Sequence, residues 1–295
     1  MKESLTAHSI ANQIRMTRSV HSGSSLLIVE GKTADPRLYG RFVDPEHCQI
    51  VSAPGKELAL AALKILEDDD FAGVAAIVDA DLWRLQGGAP SSPNLFITDG
   101  HDLEAMILKS PALEKLLAEF GSVEKLGSFT EGGTGGLRKV LLDLGCPLGY
   151  LRWVSARESL SLTFADIRFH RFINRITLSL DIIKMIRAVK HKSCRHDLVD
   201  EELHNAICEL EDINNHDPWD VCCGHDLVSI LSLGLCRALG SSNAGEVRPE
   251  LLHKFLRVAY EGDYFAETQL FQSLVAWQDA NRPFRILSPE LGSGA

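Results

Sequence analysis

Leu26-Leu27-Ile28-Val29 runs into Glu30-Gly31, and Val74-Ala75-Ala76-Ile77-Val78 runs into Asp79-Ala80-Asp81. A third run, Leu95-Phe96-Ile97, stops at Thr98-Asp99-Gly100-His101-Asp102-Leu103-Glu104. Continuous apolar runs of this length read as strands buried on both faces, as in a parallel α/β sheet. Ligands of such sheets sit outside the carboxyl ends of the strands. The expected fold therefore gathers Glu30, Asp79, Asp81 and the Asp102/Glu104 pair along one edge. Carboxylates crowded there repel one another unless a cation neutralises them. Hard oxygen ligands in an open site suit magnesium or manganese.

Outward from these runs, strand and helix alternate. Residues 10–20 read as a short helix leading into the first strand, and 37–42 as a helix after Gly31. Cys48-Gln49-Ile50-Val51 is a second strand, Pro54-Gly55-Lys56 a turn, and 57–66 an Ala- and Leu-rich helix. The segment 86–93 is a surface loop by its turn chemistry, and 103–108 a helix. This alternation predicts right-handed crossovers in a parallel sheet flanked by helices. Beyond it, 111–120 and 137–144 read as helices around a flexible Gly132-Gly133-Thr134-Gly135-Gly136 hinge, which lacks the spacing of a Walker phosphate loop. Segments 160–164 and 167–169 are expected to pair as short strands, and 173–189 to be helical. Further helices are read at 201–210, 227–238, 249–260 and 266–280, and the tail 292–295 as disordered. The expected organisation is a catalytic α/β domain over 1–126 and a mainly helical specificity and docking domain over 127–295.

The chain has 295 residues, enough for one large domain or two ordinary ones, and its 45% apolar content is that of a globular protein. No stretch approaches the ~20 apolar residues that span a bilayer. The N-terminus shows no secretory signal pattern. Seven scattered cysteines without a Cys-x-x-Cys pair argue against a zinc ribbon or disulfide framework and point to a reducing cytoplasm. The formal charge of −10 is awkward for a nucleic-acid protein, because phosphate binding wants a basic footprint. Metal ions would offset several of the acids. The basic residues are also uneven: Arg152, Arg157, Arg168, Arg171, Arg175, Lys184, Arg187, Lys190, Lys192 and Arg195 fall within 44 residues. They read either as solvated helix faces or as contacts to a nucleic-acid backbone, with Arg168, Arg171 and Arg175 the candidates for substrate binding.

Each acid carries two readings. Glu30 is either a helix-capping acid or a carboxylate that Gly31, lacking a side chain, lets approach a phosphate. Asp79 and Asp81 are either turn residues or, if extended geometry persists, two carboxylates on one side that hold a metal at a scissile phosphate. Asp102 and Glu104 open a helix, where the macrodipole favours acids, or they supply a second metal. Lys56 is a loop lysine or a cation that stabilises developing charge on phosphate; Lys32 is similar. In Gly224-His225-Asp226, Asp226 could be an N-cap, and His225 could assist proton transfer or grip a phosphate.

Val29-Glu30-Gly31 after one strand and Asp79-Ala80-Asp81 after a later one resemble the Toprim signature of topoisomerases, primases, recombination mediators and overcoming-lysogenization-defect nucleases. The Asp102-Leu103-Glu104 step resembles the nuclease branch. The segments 10–16 and 30–43, the latter with Arg37-Leu38-Tyr39, and Gly224-His225-Asp226-Leu227 resemble the Toprim nuclease subunits that accompany an ATPase in PARIS anti-phage defence. The resemblance implies catalytic work for Glu30 and His225, while Lys56 is a catalytic candidate by its position alone. It implies metal ligation by Glu30, Asp79, Asp81, Asp102 and Glu104, with Mg2+ or Mn2+ as cofactor. It further implies an effector nuclease acting on RNA, with transfer RNA as the indicated target, or on DNA. Relatives usually carry an aspartate four residues after the glutamate, whereas Asp35 is five away; a small insertion at Thr33-Ala34 would account for this, and Asp35 receives no site role. With no nucleotide-binding motif of its own, such a nuclease would be restrained by an ATPase partner docked on 137–295 and released to form a homodimer. The alternative is a non-catalytic Toprim-like binding subunit. Strand passage and primer synthesis are disfavoured by chain length and by the lack of a zinc module.

Overall fold

The computed structural model describes residues 5–129, 134–213 and 216–291. Gly132 and Gly133 of the expected hinge, and the tail 292–295, lie outside the described residues. The chain forms two compact units. The first comprises Met1–Ala80, Gly87–Asp99 and Tyr260–Ala295, and the second Asp81–Gln86 and Gly100–Ala259. The boundary read from the sequence, at 126/127, falls inside the second unit.

The first unit is built on four parallel strands: β1 (Ser25–Glu30), β2 (Cys48–Ala53), β3 (Val74–Val78) and β4 (Leu95–Ile97), in the order β2-β1-β3-β4. The two central strands are the apolar runs. Leu26 to Val29 and Val74 to Val78 are buried on both faces, each large side chain contributing about 1.5–3 kcal/mol. Registers Leu26↔Val74 and Ala76↔Leu95 bring the acid-terminated ends to one edge. Helices α1 (Ala7–Val20), α2 (Ala34–Tyr39) and α3 (Lys56–Asp68) belong to this unit. Helix α3 buries Ala59, Ala62, Leu63 and Leu66, a stripe at helical spacing, and α1 packs on it through a face that buries Ile10, Ala11 and Ile14. The chain goes from β1 outward to β2 by α2, then returns over β1 to β3 by α3. Right-handed connections put these two helices on opposite faces. The strand order therefore reverses between β1 and β3.

The last residues complete this unit. Asp99, just past β4, accepts the backbone N–H groups of Gln269 (2.5 Å) and Leu270 (2.8 Å), capping the helix Gln269–Ala280. Trp277 Nε1 donates to Asn94 Oδ1 at 2.8 Å. Phe284 lies so close to Gly73 that a Cβ there would sit 2.3 Å from its ring.

The second unit is mainly helical, with one short hairpin, β5 (Ile173–Asn174) and β6 (Ser179–Leu180). Three expectations are corrected here. Segments 160–164 and 167–169 do not pair: the N–H groups of Leu162 and Thr163 donate instead to the hydroxyls of Ser155 (3.0 Å) and Ser193 (2.8 Å), and Phe169–Arg171 is a 3-10 turn. The helix expected from 173 begins at Ile182. Before it, Asn174 Oδ1 accepts the N–H groups of Ile176 (2.9 Å) and Thr177 (3.3 Å), which folds the hairpin turn, and Asp181 then caps the helix Ile182–Lys192. The helix expected over 137–144 is longer, Thr134–Arg157, and continues through Pro147. Burial of Leu148, Leu151 and Val154 beyond the proline offsets the lost backbone bond. Among the described residues no helix is long and apolar enough to cross a membrane.

Candidate functional site

The first unit places Glu30 at the carboxyl end of β1, beside the reversal of strand order, where open α/β sheets hold their ligands. Its Oε1 accepts the backbone N–H of Lys56 at 3.1 Å and its Oε2 that of Asp79 at 3.3 Å. These bonds hold the half-buried Glu30 against the end of β3. Asp79 is itself half-buried at that end. Gly31 adopts φ +88°, which favours glycine, and a Cβ there would lie 3.2 Å from the Asp35 carboxylate. Gly31 thus turns the chain after Glu30 and admits Asp35 close by. Asp35, which the sequence spacing left without a site role, stands beside Gly31. The Ser52 hydroxyl donates to the Gly31 carbonyl and fixes this turn on β2. Lys56 meets Glu30 through its backbone at the start of α3, after Gly55 at φ +116°.

Extended geometry does not persist through Asp81. Strand β3 ends at Val78, and Asp81 is left-handed (φ +46°), so the period-two argument that pointed Asp79 and Asp81 the same way does not apply. Asp81 belongs to the second unit. Its N–H donates to the His101 carbonyl at 2.6 Å, and its exposed carboxylate lies 3.9 Å from His101 Nε2.

Asp102 and Glu104, two residues apart at the start of the helix Leu103–Lys109, do different things. Asp102 is buried. Its Oδ1 caps the helix by accepting from Ala105 N (2.8 Å), and Oδ1 and Oδ2 both accept from Gly224 N (3.1 and 2.8 Å). It ties the N-termini of two helices, Leu103–Lys109 and Gly224–Leu235, together. Gly224 is required there: a Cβ would sit 2.3 Å from Ala105 N and 2.4 Å from Asp102 Oδ1. The next residues of the Gly-His-Asp step diverge. Asp226 is buried and pairs with Arg152 at 2.5 Å; burial pushes its carboxyl up, against the pull of that guanidinium. His225 is exposed and points to Glu104.

Glu104 is buried, its side chain 7% exposed, and three cationic or imidazole groups surround it: His225 Nε2 at 3.6 Å, His253 Nδ1 at 3.5 Å and Arg257 Nη1 at 3.6 Å. Burial pushes its carboxyl up, but the close approach of His253 and the charges of His225, His253 and Arg257 outweigh this and hold it below the usual carboxylate range. Glu104, His225 and His253 are so placed that they could hold a metal ion, as are His101, Asp102 and Cys223. His253 and Arg257, four residues apart on one face of the helix Pro249–Ala259, carried no sequence signal, because only tertiary packing brings that helix to Glu104.

The basic stretch thins on inspection. Arg152, Arg157, Lys184, Arg187, Lys190, Lys192 and Arg195 are engaged in ion pairs with acids. Arg168, Arg171 and Arg175 are exposed and have no ion pair among the described residues. Arg171 and Lys184 line a groove of about 350 Å³ with His170 and Asn174. No protein-family model matches the chain, and none of the curated proteins does.

Proposed function

We propose that this chain is a metal-dependent phosphodiesterase acting on nucleic acid, with Glu30 at the centre of its site. The observation that carries the reading is that Glu30 ends β1 at the β1/β3 reversal and accepts the backbone N–H of Asp79, just past the end of β3, with Asp35 beside the following Gly31. The carboxylates of Glu30, Asp79 and Asp35 are hard oxygen donors of the kind Mg2+ and Mn2+ take. Such an ion supplies charge to a phosphate oxygen and lowers the pKa of a bound water. Glu30, Asp79 and Asp35 would hold it, with Glu30 also able to take a proton at either oxygen. The Lys56 N–H fixes the Glu30 carboxylate. Exposed Arg168, Arg171 and Arg175 would bind phosphates of the backbone without reading sequence.

The likeness of the Glu30 and Asp79-Ala80-Asp81 segments to Toprim nucleases supports this reading and extends it to an effector of anti-phage defence, cleaving RNA or DNA when an ATPase partner releases it. The test uses the purified chain, alone and co-expressed with any ATPase encoded beside it, on end-labelled transfer RNA, single-stranded and duplex DNA. Cleavage is expected to need Mg2+ or Mn2+, to stop with chelator, and to fall at least about a hundredfold in Glu30→Gln. Cleavage that persists in that variant refutes the reading. Metal binding without cleavage of any substrate in either preparation favours the non-catalytic binding subunit instead. Arg171→Ala should weaken nucleic-acid binding across sequences and lower the salt slope by about one.

A further inference from the structure

The second unit carries a group of donors that the proposed function does not use. Glu104 stands on the helix Leu103–Lys109, His225 on the first turn of Gly224–Leu235, and His253 on Pro249–Ala259; each of the three helices packs on the other two. The donor atoms of the three side chains lie within 4.8 Å of one another. We propose that Glu104, His225 and His253 form a binding site for a divalent transition metal of the zinc class, with one coordination position open to solvent.

Four observations support it. Two imidazoles and one carboxylate are a ligand set that zinc takes where it keeps an open position, whereas Mg2+ takes oxygen. A metal with bonds of about 2.0–2.1 Å sets tetrahedral ligands about 3.3–3.4 Å apart, and Glu104 already lies 3.6 Å from His225 Nε2 and 3.5 Å from His253 Nδ1. His225 Nδ1 and His253 Nε2 approach to 3.2 Å, so the two imidazole rings already stand side by side next to Glu104. The buried Nδ1 of His253 has no hydrogen-bond partner of good geometry among the described residues. Arg257, at 3.6 Å from Glu104 Oε1, would orient the carboxylate from outside the ligand set. Access is through His225, whose side chain is 63% exposed.

The other group, His101, Asp102 and Cys223, does not compete. Both Asp102 oxygens are engaged by backbone N–H groups that hold two helices together. Burial also pushes the Cys223 thiol well above its ordinary value, which opposes thiolate ligation.

The test titrates metal-stripped full-length chain with Co2+ in excess Mg2+ and follows the visible absorption. The expected result is one Co2+ per chain, with the ligand-field bands of a nitrogen–oxygen site and no thiolate charge-transfer band, displaced by Zn2+. Removal of groups that merely orient a ligand costs 10- to 100-fold in metal affinity, so His225→Ala and His253→Ala should each weaken binding by at least about a hundredfold. His225 is exposed, so its variant tests the site without disturbing the core. Cys223→Ser and Glu30→Gln should leave the bands unchanged. Binding that survives His225→Ala, that vanishes in Cys223→Ser, or that is absent from the unaltered chain overturns the proposal. The outcome does not depend on whether the Glu30 edge cleaves nucleic acid.

Discussion

Glu30 and Glu104 are both acids that the sequence offers as strand-end metal ligands, yet their surroundings separate them. Glu30 is half-buried and is held by two backbone N–H groups, those of Lys56 and Asp79. Glu104 is buried and faces side chains: two imidazoles and a guanidinium. Asp102 adds a third case, a buried carboxylate that accepts the backbone N–H groups of Ala105 and Gly224. The difference teaches that position after a strand does not define an acid's chemistry. What its oxygens already accept does. An edge carboxylate on a sheet's reversal point suits a hard cation, one wired to two helix N-termini is structural, and one among imidazoles suits a borderline metal.

Four substitutions sharpen or break this comparison. The largest effect should come from Glu104→Gln, which leaves the imidazoles and Arg257 facing no charge; breaking a buried ion pair costs about 3–5 kcal/mol, measured as a drop in urea-unfolding free energy. Glu30→Gln should cost about 1 kcal/mol or less in the same measurement, since an amide oxygen can still accept one backbone bond. Equal losses would erase the distinction drawn between the two acids. Next comes Gly224→Ala. Its Cβ would meet backbone rather than a flexible side-chain end, and forced overpacking costs about 1–3 kcal/mol. A neutral result would mean that the two helices are not held at this approach. A smaller loss than for Gly224→Ala is expected for Asp102→Asn, which keeps one oxygen as cap; about 0.5–2 kcal/mol is the usual worth of such a cap. If Asp102→Asn instead abolished metal-dependent cleavage while leaving stability unchanged, Asp102 would belong with Glu30 and not with the scaffold.

Much of the first unit was legible because its signals are local. Unbroken apolar runs at 26–29 and 74–78 marked the strands, and the parallel arrangement followed from the alternation with helices. Glu30 could be singled out for the same reason: its neighbour Gly31 and the strand before it are adjacent in sequence. Asp81 could not be placed, because its left-handed backbone breaks the strand period two residues after Asp79. The return of the chain after Tyr260 to the first unit was also hidden, since the bonds that fix it join residues as far apart as Asp99 and Gln269. The hairpin at 173–180 was read as helix because its apolar spacing is helical; the Asn174 side chain decides the turn. His253 illustrates the limit. Nothing near it in sequence suggests a ligand, and its partners come from two other helices.

The central claim, that the Glu30 edge binds a hard divalent cation, is tested most directly by electron paramagnetic resonance of Mn2+ titrated into the chain, with Zn2+ first added to fill any histidine site. Unaltered chain is expected to remove free Mn2+ signal with a stoichiometry of at least one per chain, and Glu30→Gln, folded to the same extent, to lose at least about tenfold in affinity. Identical Mn2+ binding by the two proteins, or no binding by the unaltered chain, would contradict the account.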